Sequence, residues 1–257
     1  MRSTERSCTR REFGARLASA ASLGCLWGCH QSSEAADAAR QSRLSARPRA
    51  SITTPFVGER ALGLDAARDG ILRVPPHKEG TRLPLIVLLH GAGGSGVGLL
   101  RRFGTATDDL GIAVVAPDSR GGTWDAIRSS FGRDVTFLDR VLEHVFERVP
   151  VDPARVAVGG FSDGATYALS LGLMNGDLFP RIVAYSPGFI VPGPSEGKPR
   201  IFISHGTDDD ILPIDRCSRV IVPGLRRRGL DVTYREFAGG HGVPADVARE
   251  GLRWLIN

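Results

Sequence analysis

The chain has 257 residues, 42% hydrophobic and 24% charged, with a formal net charge of +5. That is room for one sizeable α/β domain or two small ones, with the composition of an ordinary soluble protein. Five of the 33 basic residues and two of the 28 acidic ones fall in residues 1–28. The remainder therefore nets only +2, and nucleic acid is not expected as a partner.

Residues 1–29 read as an export signal and are set apart from the fold. Thr9-Arg10-Arg11-Glu12-Phe13 precedes a mildly apolar stretch from Leu17 to Trp27, too short to span a bilayer. The segment resembles a bacterial twin-arginine signal. Gly14 and Ala15 stand where leucine and lysine are usual, so the ordinary secretory route stays open. Leu26-Trp27-Gly28-Cys29 resembles a lipoprotein processing box, which implies a membrane tether through a lipidated Cys29. Ser22-Leu23-Gly24-Cys25 fits less well, and a plain cleaved signal is the alternative. On any of these readings the protein is exported from a bacterial cytoplasm to the periplasm, a membrane anchor or the medium. Residues 30–50 are rich in Ser, Ala and Arg and read as a flexible linker ahead of a catalytic domain over 51–257.

Within that domain, Gly70–Val74 reads as an early strand stopped by Pro75-Pro76. Leu85–Leu89 is a continuous apolar strand, the mark of a parallel sheet covered on both faces. A helix is predicted over 97–110 and a strand over Ile112–Ala116. From Gly132 to Arg148, Val135, Leu138, Val141, Leu142 and Val145 recur at helical spacing. A strand over 155–159 and a helix over 164–174 follow, then strands at Arg181–Tyr185, Arg200–Ser204 and Asp231–Arg235. Helices are predicted at 214–228 and 245–256. This alternation predicts a doubly wound, mostly parallel sheet with helices on both faces. The short Pro/Gly-rich connection from Tyr185 to Arg200 leaves no room for a large lid. Cys217 is the one cysteine beyond the signal, so no disulfide framework exists. It reads as a small buried hydrophobe. Arg226-Arg227-Arg228 reads as a solvated helix end.

Gly160-Phe161-Ser162-Asp163-Gly164 is a G-x-S-x-G stretch between an apolar strand and a small-residue helix. That setting is what a nucleophile elbow requires, with glycines where side chains would clash. A serine needs a base, and the base an orienting acid. His241 lies in Gly239-Gly240-His241-Gly242, between the last strand and the last helix. His144 is mid-helix and His77 sits in a Pro-bounded turn, without comparable context. Asp208, Asp209 and Asp210 follow a strand between Ser162 and His241, and chemistry alone leaves the choice among them open. The order Ser, acid, His is that of the α/β-hydrolases.

Four motifs in that order make residues 70–257 resemble the α/β-hydrolase superfamily. Within it, the phospholipase/carboxylesterase branch and the related polyester depolymerase and feruloyl-esterase-like group are nearest. Leu89-His90-Gly91-Ala92-Gly93 resembles the branch's L-H-G-x-G segment, and Gly239-Gly240-His241 its G-G-H segment. Aligning His205, Gly206 and Pro213 with H-G-x-x-D-x-x-V-P implies Asp209 as the acid, with Leu212 in place of valine. The implied oxyanion hole uses the N–H of Asp163, next after the serine, and of Ala92. The glycine run 91–96 lacks the Gly-Lys-Ser/Thr ending of a nucleotide loop. No cluster has metal-site spacing, and no metal or organic cofactor is expected.

The resemblance implies a serine carboxylesterase or lysophospholipase-like enzyme that works through an acyl-enzyme. Two other readings stay open: an exported esterase of polymer-linked esters (polyhydroxyalkanoate or feruloyl polysaccharide), and a non-catalytic protein that kept the fold. The Asp163 carboxylate either disfavours anionic substrates or caps its helix, and Trp124 and Phe189 either line the acyl pocket or pack.

Overall fold

In the strand β3 (Leu83–Leu89) every residue is buried. Leu85, Val87 and Leu89 pack into one core, Ile86 and Leu88 into another. Alternate side chains of a strand point to opposite faces, so a run with no polar break means both faces are covered. The same split recurs in β6 (Arg181–Tyr185), where Ile182 and Ala184 join the first core and Val183 and Tyr185 the second. These features come from a computed structural model that describes residues 41–49 and 56–257. The export signal, Cys29 and most of the expected linker lie outside the described residues.

Eight strands form one sheet in the order β1-β2-β4-β3-β5-β6-β7-β8. β1 (Gly58–Ala61) and β2 (Gly70–Val74) are antiparallel to their neighbours; β4 (Ala113–Pro117), β3, β5 (Val151–Phe161), β6, β7 (Arg200–Gly206) and β8 (Val232–Phe237) are parallel. The helices α1 (Gly96–Arg102), α2 (Ala106–Asp109) and α7 (Ala245–Ile256) bury apolar residues on one face. α4 (Arg133–Phe146), α5 (Asp163–Met174) and α6 (Ser218–Arg227) cover the other, and the short α3 (Asp125–Arg128) packs on α5. On α4 the predicted stripe Val135, Leu138, Val141, Leu142 and Val145 is buried. Each such side chain contributes roughly 1.5–3 kcal/mol by leaving water.

Several expectations need correction. The helix expected over 97–110 is two pieces, because the chain turns left-handed at Gly104 (φ 54°) between α1 and α2. The helix expected over 214–228 begins as a 3-10 turn, Ile214–Arg216, before α6. β1 was not predicted: its Gly-Glu-Arg-Ala sequence is exposed throughout and carries no apolar signal. Cys217 is buried, and burial raises its thiol above the ordinary value. The arginine triplet at the end of α6 is exposed, as expected.

The largest correction concerns the linker expected over 30–50. Its described part, residues 41–49, is docked on the domain. Leu44 and Ala46 are buried in the core shared with α4 and α5. Backbone bonding holds the strap in place: Asn175 Oδ1 accepts from Leu44 N–H at 2.9 Å, and Asn175 Nδ2 donates to Ser42 O at 2.8 Å. Asp139 Oδ1 accepts from the N–H groups of Ser45 and Ala46, both at 2.8 Å. Arg43 and Arg47 pair with Asp177 at 3.0 and 2.6 Å. Exposed ion pairs stabilise little, whereas stripping partners from buried amides costs about 1–3 kcal/mol. Asn175→Ala is therefore expected to release the strap and accelerate tryptic cleavage after Arg43, read by mass spectrometry of timed digests.

Candidate active site

Ser162 sits between β5 and α5 with φ 58° and ψ −121°. A non-glycine residue there is strained by about 1–3 kcal/mol and persists only where its surroundings hold it. Here they do. Ser162 N–H donates to Tyr185 O at 3.0 Å, and a Cβ on Gly164 would lie 2.0 Å from Leu89 O. The first turn of α5 thus lies against the end of β3, a contact only glycine permits.

Three loops at the carboxyl ends of parallel strands converge on this serine, as in other open α/β sheets. Ser162 Oγ donates to His241 Nε2 at 2.8 Å, and His241 Nδ1 donates to Asp209 Oδ2 at 2.7 Å. Asp209 follows β7 and His241 follows β8. Their loops touch so closely that a Cβ on Gly206 would meet Gly239 O at 2.3 Å. Of the three aspartates left open by sequence, Asp209 is buried and Asp208 and Asp210 are exposed.

The buried carboxylate is fully engaged. Asp209 Oδ1 accepts from the N–H groups of Ile211 (3.1 Å) and Leu212 (2.8 Å). Burial pushes its pKa up; the hydrogen bonds from His241 and Leu212 and the two nearby imidazoles outweigh that and hold it below the usual carboxylate range. His205, read from sequence only as a motif anchor, supports the acid from beneath. Its Nε2 donates to Leu212 O at 2.8 Å and lies 3.2 Å from Asp209 Oδ2, while Ser218 Oγ donates to its Nδ1 at 2.7 Å. Burial lowers its pKa, so the imidazole is neutral.

The two expected oxyanion donors are held by one loop, residues 119–124. Asp163 is the first residue of α5, so its N–H has no partner within the helix. Its carboxylate accepts from Thr123 Oγ1 at 2.6 Å. It does not cap α5, which has no side-chain cap at that end. The turn carrying Ala92 is pinned by Gly93 N–H to Gly122 O (2.7 Å), Trp124 Nε1–H to His90 O (2.8 Å) and Ser119 N–H to His90 Nε2 (3.0 Å). That last bond leaves Nδ1 as the protonated nitrogen of His90, donating to Gly91 O at 2.7 Å. Burial lowers the His90 pKa. Trp124 is thus a fully buried strut, packed between His90 and Tyr167, and not a pocket wall. Phe189 stands exposed.

Asp134, buried at the start of α4, clamps both ends of the loop. Its carboxylate accepts from the N–H groups of Arg120 (2.6 Å) and Asp125 (2.7 Å). Burial raises its pKa against those two bonds. Sequence reasoning found neither Thr123 nor Asp134, because their partners lie 40 residues away or are backbone groups with no signature.

No protein-family model matches the chain. It is 29% identical over 147 residues to NocK of Nocardia uniformis subsp. tsuyamanensis, assigned as an esterase, covering 52% of this chain and 42% of that protein. It is 27% identical over 157 residues to feruloyl esterase C of Emericella nidulans, covering 58% of this chain and 57% of that one. The aligned part is thus about half the length of these curated relatives. The crystal structure of esterase PE8 superposes with a TM-score of 0.58 at 26% identity, covering 72% of this chain and 98% of that one. The chain has the α/β-hydrolase fold, and the proteins it is similar to are esterases. Its sheet, with two antiparallel strands at one edge and six parallel strands beyond, is the α/β-hydrolase sheet expected from sequence.

Thr123 holds the Asp163 carboxylate and so fixes the residue whose N–H is the expected oxyanion donor. Thr123→Val is expected to lower kcat by about 10- to 100-fold with KM nearly unchanged, as small displacements of a reacting geometry do. Thr123→Ser, which keeps the hydroxyl, is expected to retain activity; steady-state kinetics on a chromogenic ester checks both.

Proposed function

We propose that the protein hydrolyses carboxylic esters through an acyl-enzyme on Ser162. The continuous hydrogen-bonded chain from Ser162 Oγ through His241 to Asp209 carries this reading. His241 Nε2 takes the hydroxyl proton as Ser162 Oγ attacks the carbonyl carbon. Asp209 holds the Nδ1–H tautomer and stabilises the imidazolium. The negative charge that develops on the carbonyl oxygen faces the N–H groups of Asp163 and Ala92, each such donor being worth about 10² to 10³ in rate. The alcohol leaves with the proton from His241. Water then repeats the cycle, restoring Ser162 and releasing the acid.

The substrate class is a small or medium acyl ester, as for a carboxylesterase or lysophospholipase-like enzyme. A second reading, esters linked to a polymer such as feruloylated polysaccharide, is favoured by the likeness to feruloyl esterase C. The short loop from Ser186 to Pro199 favours it too, since no lid covers the serine among the described residues. A non-catalytic role has no such support: a strained serine already bonded to a histidine–carboxylate pair has no evident structural purpose.

The test is hydrolysis of p-nitrophenyl esters of graded chain length. Ser162→Ala is expected to abolish turnover, and Asp209→Asn to lower kcat roughly 10³- to 10⁴-fold by mis-setting the tautomer. Asp208→Asn and Asp210→Asn are expected to stay near wild type. An optimum at short chains supports the esterase reading; turnover of feruloylated oligosaccharide above all p-nitrophenyl esters supports the polymer reading.

A further inference from the structure

A cleft of about 300 Å³ opens beside the oxyanion turn. The backbone from His90 to Ser95 forms one wall, and Leu99, Phe161 and Arg102 line the rest. Ala92, the expected oxyanion donor, is part of that wall. Any ester whose carbonyl oxygen sits at the Ala92 and Asp163 N–H groups can extend one of its halves here.

Arg102 is the one fully charged side chain lining this cleft, His90 being neutral. It forms no ion pair or hydrogen bond among the described residues. Its guanidinium carbon lies 5.6 Å from the centre of the Phe161 ring, and that ring is 4.8 Å from the His241 ring. Cation, aromatic ring and catalytic imidazole thus stand in series from the cleft to the base. A guanidinium beside a ring keeps its N–H fork for a carboxylate. A basic residue in the last turn of α1 also suits the helix dipole, but Arg101 supplies the same charge and faces a different cavity. The Asp163 carboxylate does not line the cleft and is engaged by Thr123.

We propose that this cleft is an anion subsite, and that Arg102 selects esters carrying a carboxylate, half-esters of dicarboxylic acids being the simplest. The inference rests on the serine-esterase reading above. Water adds across the scissile ester to give the dicarboxylate and the alcohol; Arg102 makes and breaks no bond. Phe161 and Leu99 line the path for the connecting methylenes, and the exposed guanidinium keeps its hydration until the carboxylate arrives.

The test compares monoethyl glutarate and monoethyl adipate with ethyl pentanoate and ethyl hexanoate, which carry a methyl group in place of the carboxylate. Released ethanol is measured for wild type, Arg102→Met and Arg102→Lys, with melting temperatures as a check on folding. Wild type is expected to prefer the half-esters. Arg102→Met is expected to lower kcat/KM for them about 10- to 100-fold, mainly through KM, the size of one charge-assisted contact. Ethyl pentanoate should change by less than about twofold, Arg102→Lys should retain part of the preference, and added salt should erode it. Equal wild-type rates on both ester types, or an Arg102→Met loss shared equally between them, overturns the subsite while leaving the esterase reading intact. No turnover of any ester, with no serine labelled by a fluorophosphonate, overturns both.

Discussion

The site depends on how closely the first turn of α5 approaches the end of β3. Leu89 O occupies the space where a side chain at residue 164 would begin, so the two segments touch backbone to backbone. That contact holds Ser162 in its left-handed conformation, places the Asp163 N–H at the carboxyl end of the central strands, and sets the turn from His90 to Gly93 directly alongside. The cost of the strain is met by the sheet behind it, where β3 and β5 pair from Leu85 to Leu89 with both faces buried. The strained backbone of Ser162 is maintained here by rigid neighbouring backbone, the side chain being left to bond His241.

Around that contact the two buried carboxylates, Asp209 and Asp134, are both satisfied. Asp209 and Asp134 both offer their oxygens to backbone N–H groups, and both are thereby tied to loops and not only to side chains. Asp209 fixes the loop that follows β7 and orients the His241 imidazole; Asp134 fixes the loop that braces the turn from His90 to Gly93. Buried carboxylates are costly unless bonded in this way, and the bonds convert that cost into positional order. The neutral imidazoles of His90 and His205 act similarly, each using both ring nitrogens to brace a turn next to a reacting group.

Much of this fold was legible in the sequence because its strands are covered on both sides. Leu85–Leu89 and Ile182–Tyr185 read as strands for the reason that they are buried. The edge strand Gly58–Ala61 and the strap 41–49 were not legible, since both are held by backbone pairing and polar side chains rather than by apolar periodicity. Ser162 and His241 could be read from local context, whereas Asp209 emerged from three adjacent aspartates only through a family resemblance. Thr123, Asp134 and the bracing role of His205 escaped because each is defined by a contact across the fold. Trp124 shows the limit of composition: a large aromatic near a site reads equally well as pocket or packing until its N–H is found on His90 O.

On the proposed mechanism Ser162 is the nucleophile, and its reactivity comes from His241 and Asp209. Treating the full chain with a fluorophosphonate and mapping the adduct by peptide mass spectrometry tests it most directly. A single adduct on Ser162 is expected, formed far more slowly after His241→Ala in a protein that remains folded. An adduct on another residue, or labelling of Ser162 at an undiminished rate without His241, would contradict it.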